Sequence, residues 1–287
     1  MPGPSVSAEA FAAAVERVAA HRNKTVVVKL GGSAMEDPAA TDACLKSVAV
    51  LNRLGVPLVL VHGGGKPIDR AMAEAGLTPK KVAGRRYTDD ATLEIVVRVL
   101  KDEINKGLVE TLVRQDTNAL AVSSLLSGSR LTLSGPDGQS IDLGRVGRIT
   151  GVDGRHLHSL FNQAFLPVVP SLALDADGGW LNVNADTAAS AVAGALKADK
   201  AIFLTDTPGV LRDRADPASL IPKLTEAQCR ELIAAGVIDG GMVPKVEACF
   251  EALAAGANSA LILDGRVPYS LLDVFLHDTF TGTEITR

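Results

Sequence analysis

Lys29 is the first residue that calls for a chemical explanation. It stands in the apolar run Val26-Val27-Val28-Lys29-Leu30, directly before Gly31-Gly32. A lysine there is costly to bury unless an anion meets it, the alternative being a lysine that snorkels from an edge strand. A second apolar run, Leu58 to Val61, ends in His62-Gly63-Gly64-Gly65-Lys66. Glycines at such junctions are either ordinary tight turns or places where backbone N–H groups approach an anion at a helix N-terminus. The spacing excludes two common phosphate loops. No serine or threonine follows Lys66, so there is no Walker A loop, and Ile68 replaces the third glycine of a dinucleotide fingerprint.

Four other segments carry suitable groups. Asn182, Asn184 and Asp186 alternate with Leu181, Val183 and Ala185, so one face of a strand end can present all three. A helix cap needs only one of them, and Asp186 can hold lysine ammoniums or lie near a metal. Gly84-Arg85-Arg86-Tyr87 places two guanidiniums beside a flexible glycine, and arginine suits bidentate carboxylate recognition. Thr205 to Leu211 reads as a polar turn after a strand, and Gly240 to Lys245 presents another lysine beside glycines.

The elements that position these groups follow from hydrophobic periodicity. Thr25–Leu30, Leu58–Val61, Phe165–Pro170, Ala201–Leu204 and Ala260–Leu263 are continuous apolar strands, the mark of a buried parallel sheet. Helical spacing predicts helices over residues 8–20, 39–54, 68–75, 89–112, 187–196, 225–235, 244–255 and 270–278. Residues 119–150 alternate short apolar pieces with glycine turns and read as a hairpin-rich insertion. The expected fold is α/β, a three-layer α/β/α sandwich with a mainly parallel central sheet.

Composition narrows the class of partner. The 287 residues include 29 Lys and Arg against 33 Asp and Glu, for a net charge of −4, so no global basic field exists for nucleic acid or an anionic membrane. A small molecule is the better expectation. Cys44, Cys229 and Cys249 lack metal-site or redox-pair spacing and read as reduced core residues. The opening lacks a targeting pattern and no long apolar stretch follows, so a cytoplasmic location is expected.

The segments KLGGSAM, VHGGGK, GRRYTDD, LNVNADTAA, LTDTPGVL and GGMVPKVE, in this order from about Thr25 to Thr283, resemble the amino acid kinase family. The resemblance implies ATP-dependent phosphorylation of the side-chain carboxylate of N-acetyl-L-glutamate in arginine biosynthesis. ATP would be the co-substrate, with Mg2+ carried by its phosphates and no dedicated protein metal site. By the same resemblance Lys29 and Lys245 stabilise the transferring phosphoryl group and Asp186 positions both. Gly31 and Gly32 cradle the phosphoryl group with Gly64 and Gly65, while Gly64, Gly65, Arg86, Asn182 and Asn184 bind the acid. Nucleotide contacts fall to Asp206, Thr207, Pro208, Gly209, Val210 and Leu211, with Val237, Ile238 and Asp239.

Phosphoryl transfer asks a protein mainly for positioning and positive electrostatics, which agrees with lysines and free amides at strand ends. The implied organisation is an N-terminal helical extension over 1–24, an acid-binding lobe with a dimer interface over 25–180, and a nucleotide-binding lobe over 181–287. The extension resembles the helix that links dimers into hexamers in arginine-inhibited members. Tyr269 and Asp273 stand where a histidine and a glutamate sit in those members, so L-arginine is an expected effector with weak or altered effect. Two other readings stay open: a kinase of the same fold acting on acetylaminoadipate or another acidic amino acid, and a non-catalytic arginine sensor.

Overall fold

Alternation along two neighbouring strands sets up the layers. Val26, Val28 and Leu30 bury on one sheet face with Leu58 and Leu60, while Val27 buries on the other with Val59 and Val61. The computed structural model describes residues 7–135 and 137–287. Residues 1–6 of the expected extension, and Pro136 in an expected turn, lie outside the described residues.

Along the chain, α1 (Ala8–Ala19) precedes β1 (Val26–Leu30), α2 (Pro38–Arg53), β2 (Leu58–His62) and α3 (Gly65–Glu74). A small hairpin, β3 (Lys81–Val82) and β4 (Arg85–Arg86), leads into α4 (Asp90–Val97), a π-helical stretch over Arg98–Asn105, and α5 (Lys106–Arg114). The middle comprises β5 (Ala119–Ala121), β6 (Leu126–Ser134), β7 (Ser140–Val152), α6 (Gly154–Asn162), β8 (Leu166–Pro170), β9 (Leu172–Leu174) and β10 (Trp180–Asn182). The last third holds α7 (Ala185–Ala195), β11 (Lys200–Thr205), β12 (Lys223–Thr225), α8 (Glu226–Ala234), α9 (Val243–Ala255), β13 (Ser259–Asp264), α10 (Ser270–Leu276) and β14 (Thr283–Thr286).

Eight strands form the central sheet in the order β12-β14-β13-β11-β1-β2-β8-β5. From β13 to β5 every pairing is parallel, and β14 runs antiparallel to β13. One face is covered by α7 and α9 and the other by α1, α2, α5 and α10, each with its own apolar core. The expected sandwich with a mainly parallel sheet is therefore present. The chain leaves β1 toward β2 on one side and later returns to β11 on the other. Ligands of open parallel sheets bind outside the strand C-termini where the order reverses in this way, which puts Gly31 at that point.

Three local expectations need correction. The helix read as continuous over 89–112 contains the π-helical stretch at its centre, because inward apolar residues at three- and four-residue spacing do not distinguish the two windings. Residues 119–150 are not one insertion. Ala119–Ala121 joins the edge of the main sheet, and the long β6–β7 hairpin closes a small barrel with β9 and β10. Finally, the alternating segment 181–186 stops being a strand after Asn182, so Asn184 caps α7 and Asp186 lies in its first turn.

Candidate functional site

The strand C-termini open onto three adjoining cavities. The first, of about 390 Å3, is lined by Lys29, Gly31 and Gly32 from the end of β1, Gly63 to Lys66 from the end of β2, Lys81 and Gly84 to Arg86 from the hairpin, and Asn182 to Asp186. Five basic side chains line it against two acidic ones, so this corner is electropositive in an acidic protein. The second, of about 430 Å3, is lined by Asp206 to Leu211, Arg214, Val237 and Ile238, with Gly241, Met242 and Lys245, and its wall is mainly apolar. The third, of about 350 Å3, contains Lys29, Gly31, Gly32 and Asp186 from the first and Asp206, Gly241 and Lys245 from the second.

Lys29 is not an edge lysine. Its strand lies inside the sheet between β11 and β2, its side chain is 13% exposed, and its ammonium lies 2.9 Å from the Asp186 carboxylate. Position 29 shares the face of Val27, so the side chain rises toward α7, whose first turn supplies Asp186. The glycines are needed for space. A Cβ on Gly31 would sit 3.0 Å from Lys29 Nζ, and Gly32 has φ +64°. A Cβ on Gly64 would meet Ile104 Cδ1 at 2.5 Å and Leu100 Cδ2 at 2.8 Å.

Lys245 reaches back from the first turns of α9 to Asp206 at the end of β11, 2.5 Å away, and the Lys245 hydrogen bond holds the Asp206 carboxyl below the usual carboxylate range. Among the described residues the Asp186 carboxylate is paired with Lys29 and not with Lys245, which modifies the expectation that it positions both lysines. The reason is reach, since Asp206 stands nearer to the start of α9. The two lysines still line one cavity.

Arg86 is immobilised before any ligand arrives. Its side chain is 11% exposed, pairs with Asp69 at 2.5 Å and donates to the Gly65 carbonyl at 3.1 Å. Asn182 donates to the Thr88 hydroxyl, which donates in turn to the Arg86 carbonyl, so the two expected acid-binding residues are coupled through one buried threonine. Asn184 lines the same cavity, yet its side-chain oxygen is engaged by the N–H groups of Asp186 and Thr187 as the cap of α7. Asp239 is set apart from the other expected nucleotide residues. It does not line the apolar cavity and instead binds Arg214, which does.

The model of the amino acid kinase family matches residues 24–264. The chain belongs to the amino acid kinase family. It is 41% identical over 263 residues to the acetylglutamate kinase of Acaryochloris marina (strain MBIC 11017), covering 92% of each chain. A crystal structure from Streptococcus mutans UA159 matches with TM-score 0.74 at 31% identity, covering 91% of this chain and 98% of that one. An N-acetylglutamate synthase from Neisseria gonorrhoeae, complexed with coenzyme A and N-acetyl-glutamate, shares the fold with TM-score 0.84 at 22% identity, over 99% of this chain and 64% of that one.

For this member of the amino acid kinase family, several site residues escaped the sequence reading. Arg214, Lys81, Asp69 and Ser171 line the cavities. None sits in a glycine-rich or alternating motif, and only the fold brings them to the strand ends. Lys66 points to Glu36, with which it forms an ion pair. Among the described residues no group of three or more His, Cys, Asp or Glu is arranged to hold a metal, and no helix is long and apolar enough to cross a membrane.

Proposed function

We propose that this chain transfers the γ-phosphoryl group of ATP to the side-chain carboxylate of N-acetyl-L-glutamate, as the name of its Acaryochloris marina relative suggests. The observation that carries the mechanism is the third cavity, where Lys29 and Lys245 face a common space between an electropositive chamber and a mainly apolar one. The apolar chamber takes the nucleotide, with Mg2+ entering on the ATP phosphates. The electropositive chamber takes the acid, with Arg86 and Asn182 on its α-carboxylate.

A carboxylate oxygen attacks the γ-phosphorus, the bond from that phosphorus to the bridging oxygen breaks, and an acyl phosphate and ADP result. Lys29 and Lys245 offset the charge on the transferring oxygens, and Asp186 holds the Lys29 ammonium in line. The N–H groups of Gly31, Gly32, Gly64 and Gly65 add fixed positive dipoles at no reorganisation cost during reaction. Residues 25–180 then serve as the acid-binding lobe and 181–287 as the nucleotide-binding lobe. We assign the protein to the cytoplasm, as dimers joined through the N-terminal helix α1 into a hexamer. L-Arginine acts weakly through Tyr269 and Asp273.

The deciding experiment is an ATP-dependent hydroxamate assay, in which hydroxylamine traps any acyl phosphate. Signal with N-acetyl-L-glutamate and little with N-acetyl-L-aminoadipate or free glutamate is expected. A stronger signal with either of the other acids overturns the substrate assignment, and no signal from folded protein that binds ATP overturns the activity.

A further inference from the structure

Among the buried ionisable groups that the proposed chemistry leaves unused, one adjoins the glycine loop. His62 closes β2, is wholly buried, and has partners at both ring nitrogens. Nδ1 lies 3.1 Å from the Gly63 carbonyl oxygen, and Nε2 lies 3.0 Å from Asn105 Nδ2. A carboxamide nitrogen only donates, so Nε2 accepts and the ring proton sits on Nδ1, where it is donated to Gly63. Burial pushes the imidazole down to about 4, consistent with the neutral ring that this arrangement requires. The second hydrogen of Asn105 Nδ2 goes to the Val168 carbonyl at 3.0 Å.

This polar pair stands where an apolar one would pack at lower cost. The rest of β2 is Leu58 to Val61, all buried, and Asn105 Oδ1 is buried with no partner. Burying an imidazole and a carboxamide costs free energy that aliphatic side chains would not incur. What the pair holds is a single peptide unit. The Gly63 carbonyl and the Gly64 N–H share one plane and point in opposite directions, so a carbonyl tied to His62 turns the Gly64 N–H away from the ring. Gly64 lines the acid-binding cavity, and its N–H takes no backbone acceptor among the described residues. Asn105 ends the π-helical stretch, and Leu100 and Ile104 of that stretch leave no room for a side chain on Gly64. The π-helical stretch thus backs the glycine loop directly through Leu100 and Ile104, and acts on the Gly63 carbonyl indirectly, through Asn105 and His62.

We infer that His62 and Asn105 are positioning residues for the transfer: the pair locks the Gly63–Gly64 peptide so that the Gly64 N–H faces the reacting carboxylate. The inference rests on the proposed carboxylate kinase activity. Without the Asn105 donor, Nε2 is left buried with no partner, and the ring loses the contact that fixes its plane and so the aim of its Nδ1–H at the Gly63 carbonyl.

Two measurements on the full chain test it. Imidazole 15N spectra of the wild type are expected to show His62 as the neutral Nδ1–H tautomer at pH 7, and the Nε2–H tautomer overturns the inference. Asn105→Leu is expected to lower kcat about 100-fold, the effect of a misplaced group, with KM for ATP within about twofold of wild type. A kcat within about twofold of wild type overturns the positioning role. If Asn105→Leu does not fold, the wild-type tautomer alone decides. A wild type inactive on all three acids overturns the kinase reading instead, and an active wild type with an indifferent Asn105→Leu overturns only this inference.

Discussion

A lysine in the interior of a parallel sheet is tolerated only with its countercharge fixed nearby, and Lys29 meets Asp186 at 2.9 Å. The same confinement makes the position intolerant of its nearest relative. The ammonium fits because position 31 has no side chain, a Cβ there falling 3.0 Å from Nζ, and a planar guanidinium is wider than an ammonium. Lys29→Ala is expected to lower kcat by roughly two to three decades, or about 3 to 4 kcal/mol of barrier, with folding retained. Lys29→Arg is expected to restore little of it, and recovery to more than about a tenth of wild-type kcat in the hydroxamate assay would show that charge alone suffices. Lys29 was legible from sequence because a charge inside an apolar run is rare. The partner of Lys245 was not, since Asp206 is 39 residues away and meets it only when the end of β11 and the start of α9 lie side by side.

Elements were legible in proportion to how completely they bury. Strands β1, β2, β8, β11 and β13 are apolar throughout or nearly so, because helices cover both faces, and each was readable as a run. The β3–β4 hairpin has two residues per strand, three of them cationic, and carries no hydrophobic period to read. Its turn depends on positive φ at Ala83 and Gly84. Helix α1 is legible by its stripe, and its position suggests its use. The end of α1 is tied down by Arg17 to Asp278, and in the segment after it Arg22 donates to the Leu54 carbonyl and His21 meets Phe275 edge to face with ring centres 5.1 Å apart. Its other end carries Phe11, 65% exposed. A large aromatic held out on an anchored helix is what a second copy would bury. Phe11→Glu is therefore expected to convert the proposed hexamers into dimers in sedimentation velocity without loss of activity. Identical profiles for the two chains would remove α1 from the interface.

For the molecule as a whole, net charge and local field are separate quantities. The charge of −4 argued against nucleic acid, yet it gave no sign that basic side chains gather around one cavity, because that grouping is made by folding. The response to acid is also collective, and it runs through His62. The folded imidazole titrates at about 4 against an ordinary 6.5, with burial as the cause, so the unfolded chain takes up the proton first. The contribution of this histidine to stability is complete above pH 6.5, declines as the pH falls toward 4 and is fully lost below it. The loss amounts to about 3 kcal/mol. Asp206 acts in a lower window. Its carboxyl, held down by Lys245, favours the fold above the ordinary 3.8, and that support disappears only as the pH falls through its depressed value. Urea midpoints measured across pH 4 to 6.5 should fall for the wild type as acid is added. For His62→Gln they should start lower, because the packing is disturbed, and change less over the same interval. Parallel slopes for the two proteins would mean that the acid sensitivity of the fold resides in its carboxylates and not in the ring behind the glycine loop.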